Sequence, residues 1–232
     1  MCTPTRAEGE VIELNKIYNE DCLLTMSRME DKSIDLIVTD PPYGIAITRK
    51  RNNYGTATHC SRINTNEEWD DDVPTAEVFA EIFRVSKNQI VFGANYFWGY
   101  FYATPCYIVW DKRGSLPSVP FAPTEFAWTS FDKQPKKYTV INHGFITDVD
   151  EKREHPTQKP LKLIAGIVSD FTDSTMTIYD PFLGSGTTAV ACEKLGRRWI
   201  GSEINPDYCK IAEKRIREFR AQGNLFQSEG RL

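Results

Sequence analysis

The sequence of 232 residues has no apolar run approaching the roughly 18 residues of a membrane span, and its first residues lack the basic-then-apolar order of a secretory signal. A cytoplasmic protein without membrane attachment is therefore expected. Cysteine is sparse and scattered: Cys2, Cys22, Cys60, Cys106, Cys192 and Cys209 show no paired spacing, which points to reduced thiols rather than disulfides or a zinc site. Only three histidines occur, and His59-Cys60 is the one adjacent His/Cys pair. No further ligand is spaced to help it, so no metal is expected. An excess of positive charge is missing too. The net charge of −4 argues against bulk coating of nucleic acid, leaving phosphate contacts to local clusters such as Arg49-Lys50-Arg51, Lys112-Arg113 and Lys133 to Lys137.

What is present is enough for one sizeable core, with 41% hydrophobic and 12% aromatic residues. Ile34-Asp35-Leu36-Ile37-Val38 is short, apolar and β-branched, as expected of a strand buried on both faces of a parallel sheet. It runs into Thr39-Asp40-Pro41-Pro42-Tyr43-Gly44. Two prolines can neither donate to a ladder nor continue a helix, so they hold Asp40 and the Pro41 carbonyl in a stiff turn, at the strand end where α/β proteins bind ligands. An acceptor pair beside an aromatic ring suits a planar amine, with Tyr43 stacking on its ring.

Upstream, a short strand near Asn15 to Asn19 precedes Asp21, which can cap a helix turning Leu23, Leu24 and Met29 inward. Downstream, residues 45–72 show little periodicity and are read as a long functional loop leaving the candidate site. A helix over Thr75 to Lys87 and a strand over Gln89 to Gly93 follow, then an aromatic-rich turn in which Asn95 could reach a ligand. Cys106 to Trp110 reads as a strand, with antiparallel partners expected in Phe121 to Ser130 and Lys137 to Asn142, so the sheet is expected to end in an antiparallel edge. Trp69, Trp98, Trp110, Trp128 and Trp199 are read as packing residues.

The last third is regular. His155-Pro156-Thr157-Gln158-Lys159-Pro160 opens a helix, the strand Thr175 to Tyr179 follows, and Asp180-Pro181-Phe182-Leu183-Gly184-Ser185-Gly186-Thr187-Thr188-Ala189 leads into another helix ending at Gly196. Gly184, Gly186 and Ala189 satisfy the G-x-G-x-x-G/A pattern between strand and helix, and Glu203 ends the next strand 17 residues beyond Gly186. Such glycines let backbone approach a cofactor, while a carboxylate at that strand end can hold both ribose hydroxyls of an adenosine. A dinucleotide needs a second mononucleotide half, and the 29 residues after Glu203 suffice for one helix. S-adenosylmethionine needs only one half.

With both motifs in view, the sequence resembles the DNA amino-methyltransferases, which methylate the exocyclic amine of adenine or cytosine, and in particular the group whose catalytic motif precedes its cofactor motif. The resemblance covers nearly the whole chain. It implies that Asp40, Pro41, Pro42 and Tyr43 form the catalytic motif. It places Asp180, Phe182, Gly184, Gly186 and Thr187 at the methionine end of S-adenosylmethionine, Glu203 on its ribose, Asp21 and Cys22 at its adenine, and Thr157 and Lys159 near its carboxylate.

The implied fold is a circularly permuted, doubly wound, mostly parallel seven-stranded α/β sheet with one antiparallel strand, occupying residues 1–232 as a single domain. Residues 44–73 would contact DNA, and residues 111–154 take the place where larger relatives carry a target-recognition domain. Aspartate at the first motif position goes mostly with adenine-N6 in that family, and serine with cytosine-N4. The resemblance further allows a homodimer and a partner restriction endonuclease. Competing readings are cytosine-N4 methylation, an RNA or protein amide methyltransferase, a nicotinamide oxidoreductase and a non-catalytic DNA-binding module. The last two are disfavoured by the missing second half and by both motifs being intact.

Overall fold

The structure, a computed structural model, describes residues 11–44, 73–116, 122–143, 146–147 and 158–229. Its main sheet holds eight strands: β1 (Lys16–Tyr18), β2 (Ile34–Thr39), β3 (Ser86–Phe92), β4 (Tyr107–Asp111), β5 (Thr124–Thr129), β6 (Lys136–Thr139), β9 (Thr177–Asp180) and β10 (Arg198–Ser202). Two short strands, β7 (Asn142–His143) and β8 (Ile146–Thr147), pair only with each other. Across the main sheet the order is β1-β10-β9-β2-β3-β5-β4-β6. Every pairing is parallel except those of β5, which runs against both β3 and β4.

Leu36, Ile37 and Val38 of β2 are each at most 1% exposed, as expected of a strand covered on both faces. Leu36 and Val38 meet a layer containing α3 (Leu161–Phe171), α4 (Thr187–Leu195) and α5 (Pro206–Glu229), whose Leu163, Ile167, Ala191 and Ile216 are buried there. Ile37 meets the other layer, where α1 (Cys22–Ser27) and α2 (Ala76–Val85) bring in Met26, Phe79 and Ile82. Asn205 caps α5, its side-chain oxygen accepting the Asp207 amide at 2.8 Å. Gly196 ends α4 with a left-handed φ of 62°. Among the described residues no helix is long and apolar enough to cross a membrane.

The doubly wound, permuted α/β architecture expected from the sequence is present, with differences of detail. The sheet has eight strands rather than seven, and its reversed strand β5 lies inside the sheet instead of at the edge. β6, expected to pair antiparallel, lies parallel to β4, because the chain leaving β5 passes beyond β4 before joining the sheet. Within six-residue α1, Met26 is buried, as is Met29 just past its end, while Leu24 is 59% exposed, since helical spacing carries it off the core face. Trp110, Trp128 and Trp199 pack in the interior, but Trp98 is 56% exposed on a 3-10 turn. The 45–72 loop, with Trp69 and His59-Cys60, lies outside the described residues, as do His155, Pro156 and Thr157.

Candidate active site

β2 and β9 are parallel neighbours, Leu36 facing Ile178 and Ile37 facing Tyr179. From β9 the chain continues to β10 on one side, and from β2 to β3 on the other, so a crevice opens between their carboxyl ends. Asp180 closes its floor. Its carboxylate accepts the Thr39 hydroxyl at 2.9 Å, the Thr188 hydroxyl at 2.7 Å and the Phe182 amide at 3.1 Å. Burial pushes this carboxyl up to about 6, against the pull of those hydrogen bonds. The two strand ends are thus stapled together by a group surrounded by dipoles.

Above Asp180 the Gly-rich turn is tied to β10. The Leu183 amide donates to the Ser202 carbonyl at 2.9 Å, and Gly201 has no room for a side chain, since a Cβ there would stand 2.6 Å from Leu183 Cδ2. Glu203 takes the Gly184 amide on Oε2 and the Asn205 amide on Oε1, each at 2.8 Å. Gly184 has a φ of 54° and open space where a Cβ would project. Gly186 (φ 84°) serves packing: a Cβ would stand 2.7 Å from that of Ala212 on α5. Ser185 donates to Gln158 Oε1 at 3.1 Å, and Arg215 reaches from α5 to the Ser185 carbonyl at 2.6 Å and the Thr187 hydroxyl at 3.1 Å.

The opposite wall carries the Asp-Pro-Pro-Tyr turn. The Tyr43 hydroxyl donates to Asp40 Oδ1, and its ring stacks on Tyr96 with centroids 4.9 Å apart and planes at 15°. Gly93 makes this position reachable: its φ is 66°, and a Cβ there would fall 2.0 Å from Tyr43 Cε1. Asp40 Oδ2 accepts from the Lys159 ammonium, which also lies 3.2 Å from Glu125 Oε2. Glu125 Oε1 in turn binds Lys112.

Burial pushes the Asp40 carboxyl up and the Lys159 charge offsets only part of that. Burial alone would lower Lys159, but Asp40 and Glu125 outweigh it and hold the ammonium above its usual range. Glu125 falls below its usual range despite burial, because Lys159 and Lys112 flank it. Burial and the neighbouring Asp40 carboxylate keep the Tyr43 phenol well above its usual value.

Between the two walls lies a cleft of about 250 Å3, lined among others by Asp40, Pro42, Lys159, Phe182, Gly184 and Glu203. Asp180 and Thr187 line it as well. Pro41, Tyr43 and Gly186 are not in its walls, although Tyr43 touches Asp40. Asp21 and Cys22 also stand outside them. Asp21 caps α1 through the Leu23 amide at 2.8 Å, and Cys22 is buried, its thiol pushed up to about 12 by burial. Asn95 is exposed away from the cleft.

Sequence reasoning did not find Glu125, Lys112, Gln158 or Arg215. A carboxylate beside the apolar Phe126-Ala127-Trp128 run was the available signal for Glu125; Lys112 stood in a basic cluster read for phosphate and Gln158 in the motif before α3, neither with this role, and Arg215 carried none.

A doubly wound sheet with a Gly-rich turn, a carboxylate at the next strand end and a facing Asp-Pro-Pro-Tyr turn defines the class of α/β proteins whose crevice suits a nucleotide cofactor. Comparison with known proteins narrows the class. Residues 109–214 match the family model described as DNA methylase. The chain is 26% identical to the Type II methyltransferase M.HinfI of Haemophilus influenzae, over 91% of this chain and 70% of that protein. It is 28% identical to the Type II methyltransferase M2.MboI of Moraxella bovis, over 87% of each.

Among solved structures, M1.HpyAVI in complex with SAM is 25% identical with a TM-score of 0.56, covering 86% of this chain and 98% of that one. The cytosine-N4-specific PvuII DNA methyltransferase shares the fold, with a TM-score of 0.57 at 17% identity over 86% and 85% of the two chains. The findings make the chain similar to adenine-N6/cytosine-N4 DNA methyltransferases.

Proposed function

We propose that this chain transfers a methyl group from S-adenosylmethionine to the N6 amine of adenine in DNA, with the target base swung out of the duplex. The observation that supports it best is the shared cleft, in which the Asp40 carboxylate faces the Gly184 turn and Glu203. The residues fit the cofactor, since a bare backbone edge at Gly184 and a carboxylate at Glu203 line the same wall. When bound, S-adenosylmethionine supplies an electrophilic methyl group on a sulfonium centre.

Glu203 takes the ribose hydroxyls, and Phe182, Gly184 and Thr187 border the methionine end, braced from behind by Asp180 and Gly186. Asp21 and Cys22, engaged in a helix cap and in the core, are given no cofactor role. Across the cleft, Asp40 and the Pro41 carbonyl accept the two N–H bonds of the amine. That favours a pyramidal nitrogen whose lone pair points at the incoming carbon, and the rigid Pro41-Pro42 turn holds both acceptors in place beforehand. The nitrogen sheds its extra proton only after methylation has made it acidic, and Asp40 is the nearest acceptor. Tyr43, backed by Tyr96, offers its ring to the extruded base.

Aspartate at position 40 favours adenine, as the family resemblance implies. Cytosine-N4 is the second reading, favoured by the fold shared with a cytosine-N4-specific enzyme. Residues 44–73 are assigned to DNA contact and 111–154 to target choice within one domain. Incubating the protein with labelled S-adenosylmethionine and unmethylated duplex DNA, then digesting to nucleosides, tests this. N6-methyladenine is expected. N4-methylcytosine as sole product would replace the adenine assignment, and no labelled nucleoside would overturn DNA methylation.

A further inference from the structure

We propose that Lys159 is the counter-ion of the acceptor carboxylate Asp40, and that Glu125, itself held by Lys112, aims it there. The proposal rests on reading Asp40 as the acceptor of the target amine. It departs from what family resemblance implies for Lys159, a place beside the cofactor carboxylate.

The geometry favours Asp40. Lys159 sits two residues before α3 and is only 8% exposed. Its ammonium contacts Asp40 Oδ2 on one side and lies 3.2 Å from Glu125 Oε2 on the other, with the Tyr43 hydroxyl 3.5 Å away. An ammonium is a compact charge with three donors, and here carboxylates from β5 and from the end of β2 fix its direction. Lys112, just past β4, then neutralises Glu125. The result is a line of alternating charge, Lys112, Glu125, Lys159, Asp40, running through three sheet segments to the reacting position and summing to zero. A buried lysine with one carboxylate could swing toward any anion entering the cleft. Two carboxylates hold it on the acceptor side.

The arrangement answers a chemical need. Asp40 is a stronger acceptor of the N–H bond, and free of a competing proton, when ionised, and burial works against ionisation. Among the described residues, the groups facing it are Lys159 from the α3 approach, Glu125 from β5, Tyr43 from its own turn and Asp180 from β9. Lys159 is the only cation among them. Because it stays protonated between two carboxylates, it cannot serve as the base that removes the amine proton, and its role is to position and ionise Asp40.

The test is single-turnover methylation, with enzyme in excess over unmethylated genomic duplex DNA and saturating S-adenosylmethionine, followed across pH. Lys159→Met should slow transfer about 100-fold at neutral pH and move the acidic limb of the profile up by about one unit, with cofactor affinity within about threefold of wild type. Lys159→Arg, which keeps the charge, should recover the position of the limb. Glu125→Gln should slow transfer about tenfold and move the limb the other way, because it removes a like charge from Asp40. Opposite shifts are a signature that a merely structural role does not give.

If Lys159→Met weakens cofactor binding about 30-fold or more with the saturated rate unchanged, the lysine belongs to the cofactor and the proposal is overturned. It is equally overturned if the acidic limb stays put in both variants. Should Lys159→Met fail to fold, the Arg and Gln variants decide by the same limb. A failure of the underlying reading looks different: Asp40→Ala would then still methylate.

Discussion

Two aspartates, each followed by a proline, end neighbouring parallel strands, and they are held in opposite ways. Asp180, at the tip of β9, is 4% exposed and satisfied by two hydroxyls and an amide. Asp40, just past β2, is paired with an ammonium and a phenol and opens on the cleft. A carboxylate wrapped in neutral donors is a brace: moving it would strand three partners. A carboxylate balanced by a neighbouring charge beside open space can exchange one hydrogen bond for another, as an acceptor of substrate must. The Thr39 hydroxyl donates to Asp180 and Thr39 precedes Asp40, so the carboxylate proposed to take the amine is placed by its neighbour.

The largest expected effect separates them directly. Asp40→Ala should reduce single-turnover methylation about 1000-fold while cofactor affinity stays within about threefold, measured by equilibrium binding. Loss of affinity instead would erase the contrast. Gly93→Ala should cost about 100-fold in the same assay, because its Cβ would fall 2.0 Å from Tyr43 Cε1 and displace the ring that steadies Asp40. Glu203→Ala acts on the other wall. It should raise the cofactor dissociation constant about 30-fold and leave the saturated rate nearly intact, as loss of charged hydrogen bonds predicts.

Asp180→Asn should affect the rate least, about threefold at most, and its signature is in stability. The Asp180 carboxyl is raised from 3.8 to about 6, so its stabilising contribution is full below pH 3.8 and is lost as pH rises through about 6. The variant lacks that loss. Its unfolding free energy relative to wild type should therefore climb between about pH 4 and pH 7, on the order of 3 kcal/mol, as read by urea melts at each pH. A flat difference would mean that burial does not raise the Asp180 carboxyl as described.

The features legible in the sequence are those written in consecutive residues. Ile34 to Val38, the two-proline turn, Gly184-Ser185-Gly186 and the acid at the next strand end each carry their own period or turn chemistry, and all of them border the crevice. What could not be read depends on register between distant strands. Glu125 meets Lys159 because β5 slots between β3 and β4; its antiparallel pairing with β4 was expected, but no local pattern reports that it also lies against β3. Thr39 meets Asp180 across 141 residues for the same kind of reason. Leu24 and Trp98 were misjudged because hydrophobicity alone does not say which way a six-residue helix or a 3-10 turn presents its side chains. Asp180 was legible as a site residue, whereas its work as a staple was visible only from its three partners.

The position of β9 also bears on how the molecule is made. Emerging from the ribosome, the first 170 residues can assemble β2, β3, β5, β4 and β6, with β2 left as a bare, apolar outer strand. Only when residues 177–180 appear does that strand gain its partner, and only with β10 does β1, made before β2, find a place in the sheet. The Asp-Pro-Pro-Tyr turn is thus synthesised before the strand that completes its crevice, and during that interval the growing chain carries an unsatisfied strand open to pairing with neighbouring nascent chains.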